Sequence, residues 1–248
     1  MQHWRGSAKG PAATPDWQTN GNTGMERMQA NAIEISTGAN PAWSLIFLHG
    51  LGADGHDFAP LPREMNLPAA VRFVLPHAPA VPVTINGGLS MPAWYDILTL
   101  DWNGPEDAAG VRNSGRELQR LIRRETERGI PSHRVFVGGF SQGGSVALFT
   151  GPRHPDPLAG IIALSTWMPQ PSTLAEENSD ANRSLPVFMA HGTYDPTVPM
   201  RFGARSRDRL RAQGHDVQWS TYSMEHAVCA REIADLNDWL AARTQTPD

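Results

Sequence analysis

Ser141 stands in the run Gly139-Phe140-Ser141-Gln142-Gly143, a serine set between two glycines in the G-x-S-x-G pattern. A serine hydroxyl is a weak nucleophile; it needs a base to take its proton, and the base needs a third group to orient it. The chain offers both downstream, in the order serine, acid, histidine. Asp195 lies in His191-Gly-Thr-Tyr-Asp195-Pro-Thr-Val-Pro199, directly after an apolar run. Asp156, Asp180, Asp208 and Asp216 fall in polar loops or helices without that placement. His226 follows a second strand-like run, whereas His215 sits at that run's wrong end and His191 precedes the acid. These residue types in this order suit nucleophilic acyl chemistry, with Ser141 attacking, His226 moving the proton and Asp195 holding the imidazole.

A developing oxyanion needs fixed backbone donors. One donor in such an arrangement is the amide after the serine, here Gln142. The second comes from a glycine-rich loop, and Leu48-His49-Gly50-Leu51-Gly52-Ala53-Asp54-Gly55 supplies one, with Leu51 as the donor. His49, Asp54, His56 and Asp57 also admit a metal reading by residue type. They lack a helical H-E-x-x-H or a cysteine set, so no metal is expected.

These residues must be positioned by a regular scaffold. Trp43–Leu48 and Val71–Leu75 read as buried strands, being short, continuous and apolar. A helix is expected over Ala108–Arg128, with Val111, Leu118, Leu121 and Ile122 at helical spacing and Gly129 at its end. Then follow strand Arg134–Gly138, a helix from Gln142, strands Gly160–Ser165 and Leu185–Ala190, and helix Met200–Gln213. Strand Val217–Tyr222 and a helix over Val228–Ala242 close the pattern. Strands alternating with helices predict an α/β fold, a mostly parallel central sheet with helices on both faces and functional loops at the strands' carboxyl ends. Pro76–Asn103 breaks the rhythm. It is long, holds four prolines along with Trp94, Tyr95 and Trp102, and reads as a pocket wall.

Composition narrows the classes. The chain has 248 residues, 40% hydrophobic and 19% charged, enough for one α/β domain with a sizeable core. A net charge of −4 gives no reason to expect nucleic acid. The sole lysine is Lys9, which argues against Schiff-base or phosphate-loop chemistry in the domain. The single cysteine, Cys229, excludes an intrachain disulfide and fits a reducing, cytoplasmic setting. No apolar stretch approaches the ~18 residues of a membrane span, so stable membrane insertion is not expected. Residues 1–24, rich in Gly, Pro, Thr and Asn, read as a disordered extension without a signal-peptide core, and Met25 as an alternative start. Residues 25–248 read as one domain.

Six segments together resemble the phospholipase/carboxylesterase branch of the α/β-hydrolases, the family that includes acyl-protein thioesterases and lysophospholipases. They are Leu48–Gly52 (LHGLG), Leu75–Asp96 (LPHAPAVPVTINGGLSMPAWYD), Gly138–Gly144 (GGFSQGG), Leu164–Pro169 (LSTWMP), His191–Pro199 (HGTYDPTVP) and Met224–Val228 (MEHAV). The resemblance spans about residues 30 to 240 and is closest to bacterial carboxylesterases. It implies the same triad, the same oxyanion donors Leu51 and Gln142, no cofactor, and an acyl pocket bordered by the Pro76–Trp94 loop, Trp167 and Met168. With Val83, Ile85, Met91 and Trp94 as apolar lining, the implied substrate is a small-molecule ester with a short to medium acyl chain. Lysophospholipase or acyl-protein thioesterase action is the alternative. A sheet-edge homodimer is compatible with the fold. Glu225, beside His226, stands where the family most often has glycine.

Overall fold

Strands that are apolar on both faces must be covered on both faces, and the chain does this by alternating them with helices. The computed structural model describes residues 32–101 and 104–244. The expected N-terminal extension and Trp102 lie outside the described residues. The strands are β1 (Ala32–Ser36), β2 (Trp43–Leu48), β3 (Val71–Pro76), β4 (Ala80–Val83), β5 (Leu89–Pro92), β6 (Val135–Phe140), β7 (Gly160–Leu164), β8 (Val187–Gly192) and β9 (Val217–Tyr222). The helices are α1 (Leu61–Glu64), α2 (Ala108–Glu127), α3 (Gln142–Thr150), α4 (Leu174–Glu177), α5 (Met200–Ala212) and α6 (Ala230–Ala241). Seven strands form one sheet in the order β1-β3-β2-β6-β7-β8-β9, every pair parallel except β1 with β3. This is the expected mostly parallel sheet of an α/β-hydrolase.

Successive strand side chains point to opposite faces, so each strand feeds two cores. In β2, Ile46 and Leu48 join α2, α3 and α5 residues such as Leu118, Val146 and Leu210. Leu45 and Phe47 join Leu61, Leu236 and Trp239 on the other side. Chain direction across the sheet reverses between β2 and β6, paired through Leu48 and Gly139. The crevice beyond the carboxyl ends at such a switch point is where open α/β sheets bind ligands. Here it receives the Gly50–Gly55 loop from β2 and Ser141 from β6.

Several elements differ from the sequence reading, the short helices α1 and α4 among them. β1 adds an antiparallel edge whose Glu34 pairs with Arg124 of α2 and with Arg128 at its C-cap. A charged edge residue in a five-residue strand hides the apolar signal. Within Pro76–Asn103, β4 and β5 pair as an antiparallel hairpin closed by Gly87 and Gly88 at positive φ. Pro82 and Pro92 sit in its strands and disguise it, since proline cannot donate to a ladder and is confined to edges. Other boundaries shift by a residue or two, as at β8, found at Val187–Gly192, and α6, found at Ala230–Ala241. Among the described residues no helix is long and apolar enough to cross a membrane.

Candidate active site

The turn from β6 into α3 is unusually tight. Ser141 has φ 53° and ψ −120°, a region that L-residues avoid unless the surroundings impose it. Its amide donates to Leu164 O at 2.9 Å and its carbonyl accepts from Thr166 Oγ1 at 2.6 Å, so the end of β7 and the loop after it hold the strained residue on both sides. Gly143 permits the turn: a Cβ there would lie 2.2 Å from Leu48 O. The start of α3 is thereby pressed onto the end of β2, against the loop that carries Leu51.

Asp195 and His226 arrive from the next two strands. His226 Nε2 lies 2.9 Å from Ser141 Oγ, and its Nδ1 lies 2.7 Å from Asp195 Oδ2. Asp195 Oδ1 accepts the Thr197 and Val198 amides at 2.9 and 2.8 Å. Burial pushes the Asp195 carboxyl up, but the His226 bond and the Val198 amide outweigh it and hold the group below the usual carboxylate range. His191 stands 3.5 Å from Asp195 Oδ2 while its Nε2–H donates to Val198 O at 2.8 Å, closing the acid's turn. Phe140 packs against the His226 ring at 4.7 Å between centroids and limits its orientation. A hydroxyl, an imidazole and a buried carboxylate in line can pass a proton from oxygen to nitrogen while the charge on the ring is balanced. Glu225 is exposed.

A cavity of about 810 Å³ opens at Ser141. Leu51, Ile85, Trp167, Met168 and Gln142, all singled out from sequence, line it. Its length runs between the segments Tyr95–Asp101 and Gly104–Asp107 on one side and α5 on the other, with Ile97, Leu98, Leu100, Val198 and Phe202 on the walls and Asp101, Glu106, Arg205 and Arg209 among the polar groups. Three pocket expectations need correction. Val83 is fully buried, and Trp94 is 5% exposed with its indole N–H bonded to His49 O. Met91 meets the hairpin's own Asn86 and stands beside Gly52. None of the three lines the cavity: Val83 is buried on β4, Met91 stays half-buried on β5, and Trp94 packs into the core just beyond it. The α5 wall, by contrast, carries a polar, arginine-rich sequence that conceals its part.

Three side chains missed by sequence reasoning bind the site together. Tyr95 Oη–H donates to Ser145 Oγ at 2.6 Å, Ser145 Oγ–H donates to Gln142 O at 2.6 Å, and Ser114 Oγ–H donates to Trp94 O. Burial raises the Tyr95 phenol far above its usual value, so it remains a donor. Of the four residues weighed for a metal, only Asp54 and His56 come together, joined by His77. Their polar atoms serve the loop: Asp54 Oδ1 caps His56 N at 2.7 Å, and His77 Nδ1 accepts the Gly55 amide at 3.2 Å. His49 faces elsewhere, towards Gly50 and Ala78.

A parallel sheet with a strained serine between β6 and α3 defines the α/β-hydrolase class. The phospholipase/carboxylesterase family model matches residues 30–244, and the chain belongs to that family. Acyl-protein thioesterase 1 of Mycosarcoma maydis is 41% identical over 87% of this chain and 97% of its own length. Acyl-protein thioesterase 1 of Neurospora crassa is 40% identical over 81% of the chain and 86% of its own. The crystal structure of Zea mays acyl-protein thioesterase 2 superposes with a TM-score of 0.78 at 27% identity, over 87% of this chain and 99% of that one. The protein is thus a serine hydrolase of ester or thioester substrates.

Proposed function

We propose that the protein removes acyl groups from protein thioesters, and hydrolyses simple acyl esters by the same route, with Ser141, His226 and Asp195 as the triad. One observation carries the reading: the Asp195–His226–Ser141 chain of 2.7 and 2.9 Å ends at the mouth of a largely apolar cavity. Ser141 Oγ adds to the acyl carbonyl as its proton passes to His226 Nε2, and Asp195 accepts from Nδ1–H and balances the imidazolium. The Leu51 and Gln142 amides receive the oxyanion; neither donates to an acceptor among the described residues. Collapse breaks the carbonyl bond to sulfur or oxygen, His226 protonates the leaving group, and water releases the acyl-enzyme by the same steps.

The names of the curated relatives support the thioesterase reading. So does cavity size: about 810 Å³ lies in the upper part of the ~300–1,000 Å³ range of small-molecule sites and can take a medium or long acyl chain. The cytoplasm, where cysteine thiols stay reduced and open to acylation, suits this substrate. The test is hydrolysis of p-nitrophenyl esters from acetate to palmitate and of an S-palmitoyl cysteine peptide, by the wild type and Ser141→Ala. Turnover of the thioester peptide that vanishes in Ser141→Ala is expected. Wild-type activity confined to acetate and butyrate would reduce the function to that of a short-chain carboxylesterase, and activity surviving in Ser141→Ala would remove the triad.

A further inference from the structure

Resting on the serine-hydrolase reading above, we infer that His49 and Trp94 are positioning residues of the oxyanion hole. His49 aims the Leu51 amide, and Trp94 ties that half of the hole to the Gln142 half. Both side chains are buried and neither touches the triad.

The tautomer of His49 follows from its partners. The Ala78 amide can only donate, and it meets His49 Nε2 at 3.0 Å, so Nε2 carries the lone pair and the ring proton is on Nδ1. Nδ1–H then donates to Gly50 O at 2.7 Å. The peptide bonds of the described residues are all trans, and in a planar trans peptide C=O and N–H point in opposite directions. Holding the Gly50 carbonyl against the imidazole therefore turns the Leu51 N–H away from His49. That direction matters because Gly50, without a Cβ, sits against the nucleophile: a Cβ there would be 3.5 Å from the Ser141 Cβ. Turning this peptide over rotates Gly50 ψ, which no Cβ hinders, together with Leu51 φ. A flipped Gly50–Leu51 peptide would present a carbonyl oxygen in place of the donor, repelling the oxyanion it should stabilise.

Trp94 grips the neighbouring peptide. Its indole N–H donates to His49 O at 2.8 Å, and its ring lies 5.1 Å from the imidazole. Its backbone amide donates to Gln142 Oε1 at 2.9 Å, and Gln142 Nε2 donates to Tyr95 O at 2.7 Å. One dipeptide, Trp94-Tyr95, thus holds the backbone leading to Leu51 through a side chain and the residue bearing the other donor through its main chain. With His49 and Gln142 each 1% exposed, these bonds form away from water, where they are stronger and hold geometry better.

Steady-state hydrolysis of p-nitrophenyl butyrate and inhibition by an alkyl trifluoromethyl ketone test the inference. The ketone forms a hemiketal with the serine, and its oxyanion occupies the hole. Ser141→Ala, His49→Ala, His49→Asn and Trp94→Phe are compared, each with its melting curve. Loss of a whole donor costs about 10²–10³ in kcat, so misaiming one through His49→Ala is expected to cost about 10–100-fold. KM should stay within about threefold, the pattern of an interaction made only in the transition state. Ketone affinity should fall with kcat. His49→Asn, whose Nδ2–H can reach Gly50 O, should recover most of the loss, and Trp94→Phe, which keeps the ring and removes the donor, should lose about 10-fold in kcat. Full kcat in both His49→Ala and Trp94→Phe overturns the inference. So does a loss confined to KM with unchanged ketone affinity, or one that only follows the folded fraction. If His49→Ala fails to fold, His49→Asn and Trp94→Phe decide alone. Activity persisting in Ser141→Ala would instead remove the mechanism itself, and the inference with it.

Discussion

The two sides of the crevice are built differently. On the side of the proposed triad the groups are held by specific hydrogen bonds: Ser141 by the Leu164 carbonyl and the Thr166 hydroxyl, and Asp195 by the amides of Thr197 and Val198. On the cavity side the walls are Tyr95–Asp101, Gly104–Asp107 and α5, where Leu98 and Leu100 are exposed and arginines alternate with apolar residues. The first side is specified by a few glycines, a strained serine and chain order. The second is specified by how a loop and a helix happen to face one another. Chemistry should therefore be brittle and substrate choice adjustable, and each substitution below separates the two.

The largest effect belongs to the acid. Asp195→Asn keeps the shape but cannot hold the His226 tautomer that accepts the serine proton, and kcat should fall by about 10⁴-fold. Measured on butyrate and palmitate esters, the loss should be equal for both. A loss that depends on chain length would mean that Asp195 belongs to the cavity rather than to the triad.

Next comes the elbow's packing. Gly143→Ala would place a methyl 2.2 Å from Leu48 O, backbone against backbone, with His49 O also within 2.6 Å. Overpacking of this kind costs about 1–3 kcal/mol, so a melting temperature lower by at least ~2 °C is expected. A variant that melts with the wild type would show that β2 can move away from α3, and the triad side would be less rigid than its hydrogen bonds indicate.

Trp167→Ala tests the other side. It removes a wall beyond the nucleophile, and kcat/KM for decanoate relative to acetate should fall by at least about 10-fold, the scale on which an apolar pocket discriminates chain length. An equal fall for both esters would make Trp167 part of the frame.

The same contrast explains what could be read from the residues. β2 occurs as expected at Trp43–Leu48, because a buried parallel strand is a continuous apolar run with sharp ends; β9, Val217–Tyr222, is a half-exposed edge strand, legible through its β-branched and aromatic residues. The positions of Ser141, Asp195 and His226 follow from strand ends and chain order, which sequence expresses directly. Burial on a loop is not so expressed. Val83, Met91 and Trp94 are apolar in a proline-rich segment, which suits a pocket wall and a packed hairpin equally, and only the β4–β5 pairing decides for the hairpin. His49 was visible only as a residue type; its role depends on the Ala78 amide, which a distant part of the chain supplies. The α5 wall was hidden for the opposite reason, since Phe202 and Ser206 are its buried exceptions among exposed arginines.

The smallest effect lies away from the crevice, on α6, and should change stability without changing chemistry. Glu232 is fully buried, and neither of its oxygens forms a hydrogen bond of good geometry among the described residues. Burial pushes its carboxyl up to about 8, only partly offset by the Cys229 amide. The unfolded chain titrates near 4.3, so between that pH and about 8 the folded state binds the extra proton. This contribution is therefore greatest below pH ~4.3, declines as pH rises and is fully lost above about 8. His49, His154, His191 and His215, held low by burial, work in the opposite sense, adding stability as pH rises through their unfolded value of about 6.5. Wild-type melting alone would mix the two. The difference between Glu232→Gln and wild type isolates the first: the variant should gain in melting temperature relative to wild type from pH 5 to 8.5, with kcat unchanged at every pH. A difference that stays flat would mean that Glu232 is ionised and paired in solution, while a change in kcat would tie α6 to the His226 loop that precedes it.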